Sequence, residues 1–195
     1  MRRLGAFALI TVMVAAGIGG SFATGMWGGG GGSAQGEWRN IDICSASHWP
    51  SETGGSSDPE ILEFGSDECY YAINMDAGEY IQCSIPGMPA GYRNGSALEV
   101  RIYQASTSGT GENTWKVQGQ ALGDGDALSG TWGTAVSVVD TIAATNTMYI
   151  SGISDPITIA NSLARHDFLQ LRIELDVENS TTTYFMGAQY RYVGD

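Results

Sequence analysis

The run Phe168-Leu169-Gln170-Leu171-Arg172-Ile173-Glu174-Leu175-Asp176-Val177 alternates apolar and polar side chains almost without a break. Leu169, Leu171, Ile173, Leu175 and Val177 fall on one side, and Gln170, Arg172, Glu174 and Asp176 on the other. That period of two belongs to a half-buried strand, not to a helix. The same alternation sets Leu98, Val100 and Ile102 opposite Glu99 and Arg101, and Trp115 and Val117 opposite Lys116 and Gln118. In the closing segment Tyr184, Met186, Ala188, Tyr190 and Tyr192 share one face, with Gln189 and Arg191 on the other.

Further strands are expected at Cys69–Asn74, Glu79–Ile85, Ala135–Thr141, Met148–Ile153 and Ile157–Ala160, each bounded by the Gly, Asn, Asp and Pro residues that turns require. No stretch longer than one turn reads as helix, and no internal repeat is present. Eight or nine short strands with regular turn signals predict an all-β fold, an antiparallel β-sandwich or jelly roll rather than a repeat array. The β domain is expected over 41–195. Its irregular lead-in, 41–67, carries one strand at Ile61–Phe64 and is expected to fold with the domain in the absence of the first 36 residues.

Ahead of that domain, residues 1–25 begin with Arg2 and Arg3 and continue from Leu4 to Ala23 without a charge. Such a run fits a secretory signal, one membrane-spanning helix of about 20 residues, or a tail clasped by neighbouring subunits. Leu4, Phe7, Leu9, Ile10, Val12, Met13, Val14 and Ile18 are its candidate anchoring or assembly residues, and the segment is expected to be retained. Residues 26–40 include the glycine-rich stretch Trp27 to Gly36, which reads as a flexible tether.

The 195 residues carry a formal net charge of −12 with one lysine, Lys116, so non-specific attraction to phosphate backbones is repelled and nucleic acid is not an expected partner. Cys44, Cys69 and Cys83 form at most one bridge within a chain and lack zinc-ligand spacing, and His48 and His166 have no matching second ligand. No cofactor or metal site is expected. Asp124-Gly125-Asp126 lacks the remaining oxygens of a calcium loop and reads as a solvated turn. Ser162, His166 and Asp167 sit near one another in sequence, but no nucleophile elbow surrounds any serine.

Glu60, Glu63, Asp67 and Glu68 are clustered acids that read as a solvated arm, since only their spacing in space would show a glycosidase pair. Asn94-Gly95-Ser96 and Asn179-Ser180-Thr181 match the glycosylation acceptor but are equally explained as turns. No catalytic residue is assigned and the chain is not expected to be an enzyme. Tyr70, Tyr71, Tyr80 and Tyr92 are candidate glycan or partner contacts, because aromatic rings bury large area at small entropic cost. The core or a subunit interface is their alternative place.

The order of features from Ile85 onward resembles the jelly-roll domains of tailed-phage virion surface proteins, of the tail fibre and head or tail decoration type. It runs through Ile85-Pro86 to Gly95, Leu98–Tyr103, Thr114–Gln118, Gly123–Leu128, Gly133–Thr141, Met148–Ser151, Ile157–Asp167, Leu169–Asp176 and Phe185–Tyr192. The resemblance implies an antiparallel jelly-roll-like β-sandwich and a non-catalytic structural or interaction protein on a virion surface. It would form homo-oligomers, a trimer being favoured, and would join other virion proteins. The signal-like start, the tether and the tyrosine-rich strands motivate an alternative, a secreted or membrane-anchored carbohydrate-binding module that would bind a cell-surface glycan.

Overall fold

The computed structural model describes residues 39–41, 60–64, 68–88 and 92–192. The hydrophobic segment, most of the tether and residues 42–59 of the lead-in lie outside the described residues. Eleven strands occur among those described: β1 (Arg39–Ile41), β2 (Glu60–Phe64), β3 (Glu68–Met75), β4 (Tyr80–Pro86), β5 (Leu98–Ser108), β6 (Gly111–Leu122), β7 (Val136–Ile142), β8 (Thr147–Ile150), β9 (Ile159–Ala160), β10 (Phe168–Val177) and β11 (Thr182–Tyr192). No helix is found among them.

Two sheets pack face to face. The first has the order β2-β3-β11-β5-β8, with β1 added along β11, and the second the order β4-β10-β6-β7, with β9 added along β6. All pairings are antiparallel except that of β6 with β9. The eight strands β3, β4, β5, β6, β7, β8, β10 and β11 cross from one sheet to the other at every connection but the β6–β7 hairpin. That connectivity is a jelly roll.

Strand β10 spans the run that opened the sequence reading. Leu169, Leu171, Ile173 and Leu175 are fully buried and join Ile81, Cys83, Trp115 and Val117 from the same sheet against Ile73, Met75, Leu98, Val100, Ile102 and Phe185 from the other. Burying one aliphatic side chain of this size is worth about 1.5–3 kcal/mol, so this row is a large part of what closes the sandwich.

The interior is not apolar throughout. At one end Gln104, Asn113, Ser180 and Thr183 are buried and bonded together, and the buried Ser106 bonds the backbone of Ser108. Gln104 Oε1 accepts from Trp115 Nε1 (3.0 Å) and Asn113 Nδ2 (3.2 Å), while Gln104 Nε2 donates across the sandwich to Asp140 Oδ2 (2.8 Å). Asn113 Nδ2 also reaches Thr183 Oγ1 (3.0 Å), and Asn113 Oδ1 accepts from the Asn179 N–H (3.1 Å). A buried amide costs little when its hydrogen bonds are made and ~1–3 kcal/mol when they are not. These bonds therefore fix which residues of β5, β6, β7 and β11 lie level.

Two departures from the sequence reading have physical causes. In β11 the register against β5 shifts between Phe185 and Gly187, where Gly187 takes a φ of 150°. The bulge splits the expected face: Ala188 and Tyr190 join Phe185 in the main core, whereas Tyr184 and Met186 form a separate cluster with Ala72 on the outer side. The second concerns Met148–Ile153, where β8 stops at Ile150.

From there the chain continues along β5 by a substitute for strand pairing. Ser151 N–H donates to Ile102 O and Ser151 Oγ accepts from Ile102 N–H, both at 2.9 Å, and Ser154 repeats this with Val100. The serine hydroxyls take the place of backbone carbonyls. Strand β1 was not anticipated at all.

Candidate functional site

Register places side chains on the outer face of the second sheet in rows. Tyr80, Glu174, Lys116 and Ser137 make one row; Gln82, Arg172 and Gln118 the next; Ser84, Gln170 and Gln120 the third. The Arg172 guanidinium carbon sits 3.7 Å from the Tyr80 ring centroid, and its Nη2 donates to Glu174 at 2.8 Å. Lys116 bonds Asp176, which holds its ammonium above the ordinary lysine range. This face is polar, with its charges matched.

The outer face of the first sheet divides along its length. Toward one end Arg191 donates to Glu99 at 2.7 Å, and Arg101 and Tyr103 both donate to Gln189. Toward the other, Tyr184, Ala105 and Met148 lie in one row, with Met186 beside them and Ile150 paired to Tyr103. Met148 is 53% exposed, and Ile150 and Ile153 are each 50% exposed. These three lie on or just after β8, the free edge of the sheet.

The four candidate tyrosines do not come together. Tyr70 and Tyr71, neighbours on β3, point to opposite sides of the first sheet, and both are exposed. Tyr71 is paired across β2–β3 with Ile61, also exposed. Tyr80 lies on the outer face of the other sheet. Tyr92 must be corrected from a contact residue to a core residue: it is 5% exposed, meets Tyr192 edge-on, and donates its hydroxyl to Ser96 O at 3.1 Å. Its ring fastens the loop after β4 to the segment around Leu163, where Gly95 N–H also bonds Leu163 O. Leu4, Phe7, Leu9, Ile10, Val12, Met13, Val14 and Ile18 lie outside the described residues.

The remaining polar motifs have local structural partners. Asp126 accepts from Gly123 N–H and Asp167 from Ala164 N–H, each closing its own turn. Asn94 Oδ1 accepts from Arg165 N–H, and Asn179 Nδ2 donates to Glu112 O at 2.7 Å, so both acceptor-motif asparagines tie turns together. Burial pushes the Cys83 thiol far above its ordinary range, and Cys69 is exposed. Burial also raises the Glu178 carboxyl, as do the nearby charges of Asp76 and Glu79, while hydrogen bonds from Thr183 act the other way.

The apolar strip at β8 is what sequence reading missed. Its signal was present, in a run from Thr141 to Ser154 without one charged residue. Comparison of the chain with protein-family models and with curated proteins gives no match to either.

Proposed function

We propose that this chain is a structural or interaction protein of a virion surface, a non-catalytic jelly roll that assembles with copies of itself and with other proteins of a phage-like particle. The observation that carries this reading is the exposed strip Met148, Ile150 and Ile153 on the open edge of an acidic domain. Contiguous exposed apolar side chains mark sites of association. Jelly-roll connectivity supports the reading, because capsid proteins use it, although a fold alone does not assign a role. Immunogold labelling of particles from the native source, with an antibody against residues 123–130, is expected to decorate their surface. Recovery of the chain only as a soluble monomer apart from particles sinks the proposal.

A second reading rests on a different observation, the polar outer face where Arg172 stacks on Tyr80 between Gln82 and Gln118. A guanidinium lying on an aromatic ring, with amides on either side of it, offers a sugar stacking and hydrogen bonds, and it would make the chain a carbohydrate-binding module. Glycan-array binding that Tyr80→Ala abolishes would favour it. Silence across the array at high protein concentration removes it.

A further inference from the structure

Strand β8 ends the first sheet with nothing beyond it among the described strands. Ser151 N–H bonds Ile102 O, so the Ser151–Ile102 pair is hydrogen-bonded. Alternation along an antiparallel ladder then makes Tyr103–Ile150 and Ala105–Met148 non-hydrogen-bonded pairs. The peptide groups of Met148 and Ile150 therefore face away from β5. They are the groups that a further strand would bond.

Natural sheet edges are guarded by charge, proline or bulges. Here β2 contains Glu60 and Glu63, β4 ends on Pro86 and β7 contains Asp140. Thr147-Met148-Tyr149-Ile150 has no such guard, and the uncharged run around it extends from Thr141 to Ser154. Two copies of a chain with net charge −12 repel each other, and that repulsion is least where neither presents a charge. This points to a second copy as the occupant.

We infer that two copies of the chain pair through β8, antiparallel about a two-fold axis at Tyr149, and join their first sheets into one. Met148 of each copy then stands opposite Ile150 of the other, which uses all the outward peptide groups of these residues in four hydrogen bonds. Both apolar side chains lie on the same outer face and cover one another. The contact is isologous, so it closes at two copies and does not propagate as a fibre. This inference rests on the self-assembly part of the function proposed above and names its surface and symmetry.

The test is sedimentation of the full chain in mild detergent, comparing wild type with Met148→Lys/Ile150→Lys and with Val139→Lys, a control at an exposed position on β7. Because all three side chains are half exposed or more, melting temperatures should be unchanged. The expected result is an association constant at least about tenfold weaker for the β8 variant alone, since like charges then face each other across the pair. In a Cys44→Ser/Cys69→Ser background, Tyr149→Cys should oxidise to a linked dimer, and Val139→Cys should not.

Undiminished association of the double lysine variant, with no more linking at 149 than at 139, overturns the β8 pairing and leaves assembly through another face standing. A monomeric wild type overturns both.

Discussion

The two sheets meet the same core and are built on different rules. The second sheet is the more regular: burial alternates along β10 from Leu169 to Leu175 and along β6 from Asn113 to Gly119, the register shifts once, between Leu175 and Val177, and on the polar outer face Arg172 and Lys116 are paired with Glu174 and Asp176. The first sheet has two register shifts in β11, a glycine in a conformation that other residues avoid, the buried Gln104, Ser106 and Thr183 on its inner side, and apolar side chains on its outer side. A sheet with one dry face and one wet face needs only alternation. A sheet that buries part of both faces carries apolar side chains on both, and here the register shifts of β11 lie beside the surface proposed for association.

Breaking the regular sheet should have the largest effect. Leu171→Asp places a charge among fully buried side chains and is expected to cost upwards of about 4 kcal/mol or to prevent folding. Arg172→Asp, one residue away on the wet face, should cost far less. Urea unfolding of the pair measures the difference, and equal losses would show that the sheet's two faces are not distinct.

Next in size is the polar end of the core. Asn113→Ala removes the donor shared by Gln104, Thr183 and Ser180 and the acceptor used by Asn179, for an expected loss of about 2–4 kcal/mol. Asp140→Ala, which leaves Gln104 with two of its three bonds, should cost less. Neutral outcomes for both changes would show that the hydrogen bonds joining β6 and β7 to Gln104 of the first sheet add no stability.

Gly187→Ala tests the irregularity itself. No atom lies within 4 Å of where a Cβ would stand, so any penalty comes from the φ of 150° and not from a clash. A loss of about 1–3 kcal/mol is expected, against well under that for Ala188→Gly on the same strand corrected for lost methyl burial. No loss would mean that the bulge is relaxed.

The smallest effect concerns charge and fades as pH falls. Folding raises the carboxyl of Glu178, chiefly through burial and then through Asp76 and Glu79, so its ionised form is disfavoured in the native state. A raised acid destabilises fully above its folded pKa and not at all below its unfolded pKa. Glu178→Gln should therefore raise the melting temperature slightly at neutral pH, with the gain fading as pH falls through the acid range. Thermal scans across pH check this, and a gain that grew toward low pH would reverse the assigned sign.

The contrast between the sheets also explains what was legible in the sequence. Alternation gives the bounds of β10 and its buried set Leu169, Leu171, Ile173 and Leu175, but Val177, expected on the same face, is 41% exposed beyond a register shift against β6, and β3, β4 and β7 fall within a residue or two of their expected bounds. Their number and spacing leave a sandwich or a jelly roll, and the order of features from Ile85 onward points to the jelly roll that the connectivity shows. Tyr184 and Met186 were assigned to the wrong side because a bulge shifts register without changing composition, and Gly187 is the one local sign of it. The end of β8 was overrun because Ser151 and Ser154 imitate pairing with side chains. Tyr92 reads in sequence as either a contact or a core residue, and the core reading holds because the distant Leu163 segment folds onto its turn.

One feature of the topology bears on how the molecule is made. β11 lies in the middle of the first sheet, bonded to β1, β3 and β5, yet it follows all of them in the chain. During synthesis, β3 and β5 emerge with the edges that will meet β11 still bare, and no earlier segment can seal them. The sandwich thus closes only when residues 182–192 have left the ribosome. Until then the nascent chain needs shielding from its neighbours on the same polysome, and those neighbours are the copies it is proposed to join.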